Sequence, residues 1–327
     1  MNLRAGSASH HGASVVIPTY NRARLLEKTI PILLREIEIY ELIVVDDGST
    51  DETESVVARF SRSDDRIVLV SQRNGGEARA RQSGLEAATR DVVVFLDDDV
   101  VPGPGLIRGH LSHHVINSRT VVLGYMPVAM EELVGEELAV AKIYSRDYED
   151  TCQVYEREPH HILNYFWAGN FSITRVEALK VGFVRSPTLS YHEDLRFGLG
   201  CEASGLTAVF DRNLRSNHHY RKNIARFIAE CSSSGESRAI LVTEFPSSSP
   251  IIDPTVHATA IRRMARNLFI ADRRSPITER MLVWLLKTCG GDKSRLFTVF
   301  LLRALRQTVL QRRFSEMRRS TERSLES

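Results

Sequence analysis

The stretch Arg90-Asp91-Val92-Val93-Val94-Phe95-Leu96-Asp97-Asp98-Asp99-Val100-Val101-Pro102 decides the fold. Its first half is a run of β-branched and aromatic apolar residues, the mark of a strand buried on both faces. The run ends in three consecutive carboxylates, and Val-Val-Pro turns the chain away. Ligands of an open α/β sheet bind beyond the carboxyl ends of its strands. Three acids there repel one another unless a cation neutralises them, and hard dications, Mg2+ or Mn2+, favour such oxygen ligands and bridge to phosphate. A solvated acidic turn or a helix cap would explain an isolated Asp triplet equally well, so its surroundings must discriminate.

Upstream, strand and helix patterns alternate four times in the first hundred residues. Ser14-Val15-Val16-Ile17-Pro18 reads as a buried strand ending in the turn Thr19-Tyr20-Asn21. Leu25, Leu26, Thr29, Ile30, Leu33, Leu34 and Ile37 then recur at helical spacing, with Pro31 as an interruption. Glu41-Leu42-Ile43-Val44-Val45 is a second strand, closed by Asp46-Asp47-Gly48-Ser49-Thr50-Asp51. Gly48 suits a tight turn, and Ser49, Thr50 or Asp51 suits the cap of a helix running to Phe60. Ile67-Val68-Leu69-Val70 is the third strand; Asn74-Gly75-Gly76 and a helix through Ala88 lead into the fourth. This alternation predicts a mostly parallel, Rossmann-like sheet covered by helices. It also places Thr19-Tyr20-Asn21, Asp46-Asp47, Arg73-Asn74 and the Asp triplet along one sheet edge.

Neither a G-x-G-x-x-G after the first strand nor a G-x-x-x-x-G-K-[ST] occurs. A diphosphate held at this edge would therefore need a metal and basic side chains, with Arg79 and Arg81 as candidates. Downstream, Val121-Val122-Leu123-Gly124 is strand-like. Residues 126–165 read as an irregular, partly helical insertion, the kind of connection that serves as a lid or acceptor surface. Trp167 to Ile173 resumes a strand, Tyr191-His192-Glu193-Asp194-Leu195 opens a helix running to Ala203, and Leu206 to Phe210 reads as an edge strand.

The chain has 327 residues, 43% hydrophobic and 26% charged, as expected of a globular protein. Its net charge of +2 hides an asymmetry: residues 1–211 carry 21 basic and 31 acidic residues, and residues 212–327 carry 22 and 10. Cys152, Cys201, Cys231 and Cys289 lack metal-finger spacing and read as free thiols of a cytoplasmic protein. No stretch has the 18 or so uninterrupted apolar residues of a membrane span.

Taken together, these residues resemble the family-2 glycosyltransferases, inverting enzymes of the GT-A nucleotide-diphospho-sugar transferase fold. Five motifs carry the resemblance, in order and over residues 14–220: Val15 to Arg22, Val45 to Asp51, Phe95 to Asp99, Ala168 to Ser172 and His192 to Leu195. One departure is Gln82, where the family often has Asn after Ala-Arg. The resemblance implies that Pro18, Thr19, Tyr20 and Asp47 frame a nucleobase and that Asp97 and Asp98 border the donor, Asp97 near the ribose. Asp99 would hold the metal with His218, or its neighbour His219, and Asp194 would be the general base. It implies a nucleotide-diphospho-sugar donor, with a UDP-sugar as the first choice, and a glycan, lipid-linked or other hydroxyl acceptor. A sugar-nucleotidyltransferase and a sugar-nucleotide-binding protein without catalysis are the rival readings. The first usually needs a glycine-rich basic loop where Pro18-Thr19-Tyr20-Asn21 stands.

Residues 1–13 read as a flexible start, 14–220 as the catalytic domain and 221–327 as a basic helical region. Helices are expected at 261–271, 281–286 and 296–310. They either pack on the catalytic domain or a second subunit, or lie peripherally on an anionic cytoplasmic membrane face. Nucleic acid is not expected as a partner, since no aromatics interleave with the basic residues.

Overall fold

The computed structural model describes residues 12–183, 189, 191–254 and 295–326, together with 280 and 283. The helices expected at 261–271 and 281–286 lie outside the described residues, apart from Val283, as do Cys289 and residues 1–11.

The predicted alternation is present as β1 (Ala13–Thr19), α1 (Ala23–Leu33), β2 (Ile39–Asp46), α2 (Thr53–Ser61), β3 (Ile67–Ser71), α3 (Glu77–Ala87) and β4 (Val92–Leu96). Every residue of β1 and of β4 is buried, as continuous apolar runs require in a sheet covered on both faces. Then come β5 (Val100–Pro102), α4 (Leu106–Ile116), β6 (Thr120–Tyr125), α5 (Gly135–Arg157), a 3-10 turn (Pro159–Tyr165) and β7 (Asn170–Thr174). The chain continues through α6 (Arg175–Val181), α7 (Glu193–Ala203), β8 (Thr207–His218), α8 (Ile224–Glu244), the short α9 (Ser249–Ile252) and α10 (Arg295–Glu326).

The eight strands among the described residues are ordered β3-β2-β1-β4-β7-β6-β8-β5. Strands β3, β2, β1 and β4 are parallel, and β6 lies parallel to β8. Strand β7 runs antiparallel to both β4 and β6, and β5 antiparallel to β8. The sheet is thus mixed, parallel only by a narrow margin. The long segment between β6 and β7 replaces a crossover helix and returns the chain in the opposite direction. The chain leaves β1 toward β2 and β3, then comes back to β4 on the other side of β1. That reversal opens a crevice beyond the carboxyl ends of β1 and β4, where Thr19 and Asp97 stand.

Three segments differ from the sequence reading. Residues 126–165 are mostly one 23-residue helix, α5. Its buried positions are Val140, Ala141 and Ile143 in the first half and Tyr148, Cys152 and Tyr155 in the second, so the helical period passes from aliphatics to tyrosine and cysteine among charges. Val100-Val101-Pro102 is a strand in its own right, and the expected edge strand at 206–210 continues to His218 to pair with it. Helix α8, outside the helices expected from the sequence, has a weak apolar period because Ser234, Gly235 and Ser237 interrupt its buried side between Cys231 and Ala239.

The C-terminal helices pack inward. Leu301, Leu302, Leu305 and Val309 of α10 share a core with Phe227 and Cys231 of α8 and with Val140, Ala141 and Ile143 of α5. No helix among the described residues is long and apolar enough to cross a membrane.

Candidate active site

A cleft of about 850 Å3 opens at the β1/β4 crevice and reaches the C-terminal helices. It is lined by residues of all five motifs, among them Pro18, Asp47, Asp97, Ala168 and Asp194. The strand ends that the sequence places on one edge therefore do converge.

On one side, Asp47 is buried and accepts from Gln72 Nε2 at 2.7 Å, Gly75 N at 2.8 Å and Gly76 N at 2.8 Å. Its carboxylate thereby shapes the loop before α3, and one lone-pair site on Oδ2 stays open toward the cleft. Thr19 is buried and donates to Asp98 Oδ2 at 2.9 Å, and Arg22 Nε lies 3.4 Å from Asp98 Oδ1. Burial, with Asp99 alongside, pushes the Asp98 carboxyl up to about 7 despite these two partners. Tyr20 is half exposed at the rim.

Arg81 is buried and donates to Asp97 Oδ1 at 2.6 Å while also pairing with Glu77. It thus holds Asp97 in place, and Arg79 is not among the cleft-lining residues. Gly169 answers for the other oxygen: a Cβ there would come within 2.8 Å of Asp97 Oδ2, and its φ of +115° suits only glycine. Asn170, next in the chain, has a structural task. Its Nδ2 donates to Leu214 O at 2.9 Å and to Ser216 Oγ at 3.0 Å, so its Oδ1 accepts from His110 Nε2 at 2.9 Å. Burial lowers the His110 imidazole to about 4, and it stays neutral as a β7–α4 tie.

The β5–β8 pairing places the two histidines differently relative to Asp99. Val100 stands opposite His218, and side chains of neighbouring strand residues point to opposite faces. His218 is buried with Nε2 3.4 Å from Asp99 Oδ1. His219 is exposed and meets Asp99 only through its backbone N–H, donated to Asp99 O at 2.8 Å. Burial would raise the Asp99 carboxyl, but the His218 hydrogen bond and the cations around it hold it below the ordinary value. His218 Nδ1 is buried without a hydrogen-bond partner. Among the described residues no three His, Cys, Asp or Glu side chains cluster tightly enough to hold a metal by themselves. A carboxylate beside an imidazole still fits a dication that draws its other ligands from phosphate and water, the usual habit of Mg2+ at substrate phosphates.

Asp194 lies in the first turn of α7, where the helix dipole favours an anion. Its Oδ1 accepts from Leu195 N at 2.7 Å and its Oδ2 from Ala168 N at 3.4 Å. Burial outweighs these donors and the Arg81 charge, so the carboxyl sits above its ordinary value. The neighbouring Glu193, also at the cleft, accepts from Ala78 N at 3.2 Å at the start of α3. Aromatic packing fixes Asp194 relative to the triplet. Phe197, one turn along α7, stacks on Phe183 at 4.1 Å and meets Phe171, which stacks on Phe95 at 4.8 Å, two residues before Asp97.

Two features of the cleft escape the sequence reading. Tyr144 of α5 stacks on Tyr220 at 4.0 Å and meets Trp167 and His218, giving the cleft an aromatic wall. Helix α8 also braces the turn that presents Asp194. His192 adopts φ +63°, unusual for a side chain with a Cβ, and its Nε2 meets Ser234 Oγ at 2.7 Å. Tyr191 N donates to Ser237 Oγ at 3.1 Å.

A family model described as "Glycosyl transferase family 2" matches residues 14–177. A validoxylamine A glucosyltransferase from Streptomyces hygroscopicus subsp. jinggangensis is 30% identical over 259 residues, covering 69% of this chain and 61% of its own length. A GalNAc(5)-diNAcBac-PP-undecaprenol β-1,3-glucosyltransferase from Campylobacter jejuni is 43% identical over 135 residues, 40% of this chain and 41% of that protein. The chain thus spans about three-fifths or less of these relatives' length. Among solved structures, the mannosyltransferase PcManGT from Pyrobaculum calidifontis, in complex with GDP-Man and Mn2+, superposes with a TM-score of 0.62 at 18% identity. That match covers 92% of this chain and 86% of that one, and the shared architecture is the GT-A fold.

Proposed function

The chain belongs to glycosyl transferase family 2, and from that premise we propose that it transfers a sugar, with inversion, from a nucleotide-diphospho-sugar to an acceptor hydroxyl. One observation carries the reading: a single cleft joins the Asp97–Asp99 end of β4 to a second, separately braced carboxylate, Asp194. Inversion needs one displacement at the anomeric carbon, with a base to take the hydroxyl proton and stabilisation for the leaving diphosphate. Two acidic sites with different neighbours suit these two tasks.

In this reading Pro18, Thr19, Tyr20 and the open lone pair of Asp47 bound the base, and Asp97 and Asp98 border the sugar-nucleotide. Asp97 is held for the ribose by Arg81, whose own charge is already engaged by two carboxylates. Asp99 and His218 hold Mn2+ or Mg2+, and PcManGT, whose complex contains GDP-Man and Mn2+, supports such a pairing of donor and metal. The bound dication supplies the positive charge that stabilises the departing diphosphate. Asp194, kept less acidic by burial, is suited to hold the acceptor proton once taken. The lipid-linked name of the Campylobacter relative supports a polyprenyl-linked acceptor as one member of the acceptor class.

The test is a panel of UDP- and GDP-sugars with Mn2+, read by thermal stabilisation and by slow release of nucleoside diphosphate. Stabilisation with no release and no transfer to any acceptor would favour a binding protein. Pyrophosphate release from a nucleoside triphosphate and a sugar phosphate would favour a nucleotidyltransferase. Asp99→Asn is expected to weaken donor binding about 10-fold or more in Mn2+ and to remove its sensitivity to chelator, because a neutral amide is a poor ligand for a hard dication. The fold should survive, since one of three mutually repelling acids is neutralised. Equal donor affinity in Mn2+, in chelator and in the variant would refute the metal role.

A further inference from the structure

The cations that line the cleft are, with one exception, matched by carboxylates. Arg22 meets Asp98 at 3.4 Å, Arg81 meets Asp97 at 2.6 Å, Lys222 and Arg226 share Glu230, and Arg306 pairs with Asp147. Arg238 of α8 is different. Among the described residues no carboxylate pairs with it, and its Nη1 donates to the backbone carbonyl of Ile252 at 2.9 Å. Its Nε is buried without a partner. A guanidinium has five N–H donors, and taking an unmatched one out of water is costly. Burial lowers its pKa, and the groups whose charges act on it are Tyr191, Asp194 and Tyr165, with no member of the Asp97–Asp99 triplet among them. Arg238 therefore lies on the Asp194 side of the cleft, among Tyr165, Tyr191 and Ile251.

We propose that Arg238 is the recognition residue for an oxyanion carried by the acceptor, a phosphate or carboxylate close to the hydroxyl that Asp194 deprotonates. The proposal rests on the glycosyltransferase reading and adds the acceptor's chemical class to it. The planar fork matches the two oxygens of such a group, and forming that pair in a part-buried cleft offsets the desolvation of the arginine. It also orients the acceptor. With the anion fixed on α8 and the hydroxyl at the start of α7, the nucleophilic oxygen faces the donor half of the cleft. Because α8 also braces the 191–192 turn through Ser234 and Ser237, the anion site and the base move as one body.

The experiment uses the full chain saturated with Mn2+ and whichever of UDP or GDP stabilises it more, so that the donor half is filled. Glycerol 3-phosphate, glycerate and glycerol are then titrated and thermal stabilisation is followed. Wild type is expected to respond to at least one of the two anions and not to glycerol, and the stronger anion tells phosphate from carboxylate. R238Q should bind that anion about 10- to 100-fold more weakly, the scale of a hydrogen-bonded charge pair, and keep its nucleoside-diphosphate response. R238K retains the charge without the fork, should fall between the two, and decides the matter should R238Q fail to fold. An unchanged anion response in R238Q or R238K, or none in wild type, overturns the proposal. Loss of the diphosphate response in R238Q would move the arginine to the donor site and overturn it as well. A wild type that ignores UDP and GDP altogether would bring down the donor reading itself, and this proposal with it.

Discussion

Asp194→Asn is expected to cut sugar transfer by roughly 100- to 10,000-fold, the range for loss of a positioned general base, and to leave nucleoside-diphosphate binding in Mn2+ nearly unchanged. Asparagine keeps the size of the side chain, and its one carbonyl oxygen can still accept from Leu195 N, the shorter bond at 2.7 Å; only the long 3.4 Å bond from Ala168 N is given up, so the α7 start should hold. What it loses is the ability to take a proton. Glu193→Gln is the matched control, because Glu193 is engaged with Ala78 N at the start of α3. Its loss should be much smaller. Equal losses in the two variants would detach the base role from Asp194, and near-normal transfer by Asp194→Asn would end it.

The same carboxylate predicts the pH profile. Burial, opposed by two backbone donors and by Arg81, raises its pKa above the ordinary value. The base works only when ionised, so the rate should climb with pH through this raised pKa, and the acidic limb should lie above the ordinary carboxylate range. Linkage has the opposite sense. With a folded pKa above the unfolded one, the protonated carboxyl favours the folded state at low pH. That contribution is lost as pH rises through the folded value. Asp194→Asn should flatten both trends, and an acidic limb that survives in its residual activity would belong to another group.

Much of the β1/β4 side of the cleft was legible in the sequence, because buried parallel strands are continuous apolar runs and the polar residues that end them must share an edge. Pro18, Asp47, Asp97, Asp99 and Asp194 could be placed at one cleft from that logic and five motifs. That His218 is the one buried beside Asp99, with His219 exposed, could not. It depends on a three-residue strand, Val100–Pro102, too short to show alternation, whose Val100 pairs with His218, 118 residues away. The side of the cleft built by α8 was illegible for a related reason. Helix α8 meets the cleft and the Asp194 turn through Ser234, Ser237 and Arg238, and helical hydropathy is blind to a face made of serines and an arginine. Tyr144, Tyr148 and Tyr155 of α5 likewise looked like residues scattered in a charged insertion until their spacing resolved into one helix face.

Removing residues 295–327 is expected to lower the melting temperature by more than about 10 °C, or to abolish a cooperative transition altogether. Leu301, Leu302, Leu305, Val309 and Phe314 of α10 are all buried. At about 2 kcal/mol each their burial is on the order of 10 kcal/mol, an upper bound but comparable to the net stability of a typical domain. Each kcal/mol lost shifts the midpoint by roughly 2–4 °C in a chain of 150–250 residues and somewhat less in a longer one, so a loss of more than about half that figure produces the drop. The helices also touch closely: a Cβ at Gly235 of α8 would lie 2.3 Å from Leu310 O, and removing α10 uncovers Phe227 and Cys231 of α8. Among the described side chains of α10, three arginines pair with other elements: Arg306 with Asp147, Arg313 near Glu236 at 3.6 Å and Arg318 near Asp253 at 3.7 Å. Those pairings leave less charge for an anionic membrane, where each free basic residue would contribute about 1 kcal/mol. Since α8 braces Tyr191 and His192, the truncated chain should lose transfer more completely than it loses nucleoside-diphosphate binding. A truncated chain that melts like the full protein, beside a full protein that binds anionic vesicles at low salt and releases them as salt rises, would reverse this assignment and make α10 a membrane-surface element.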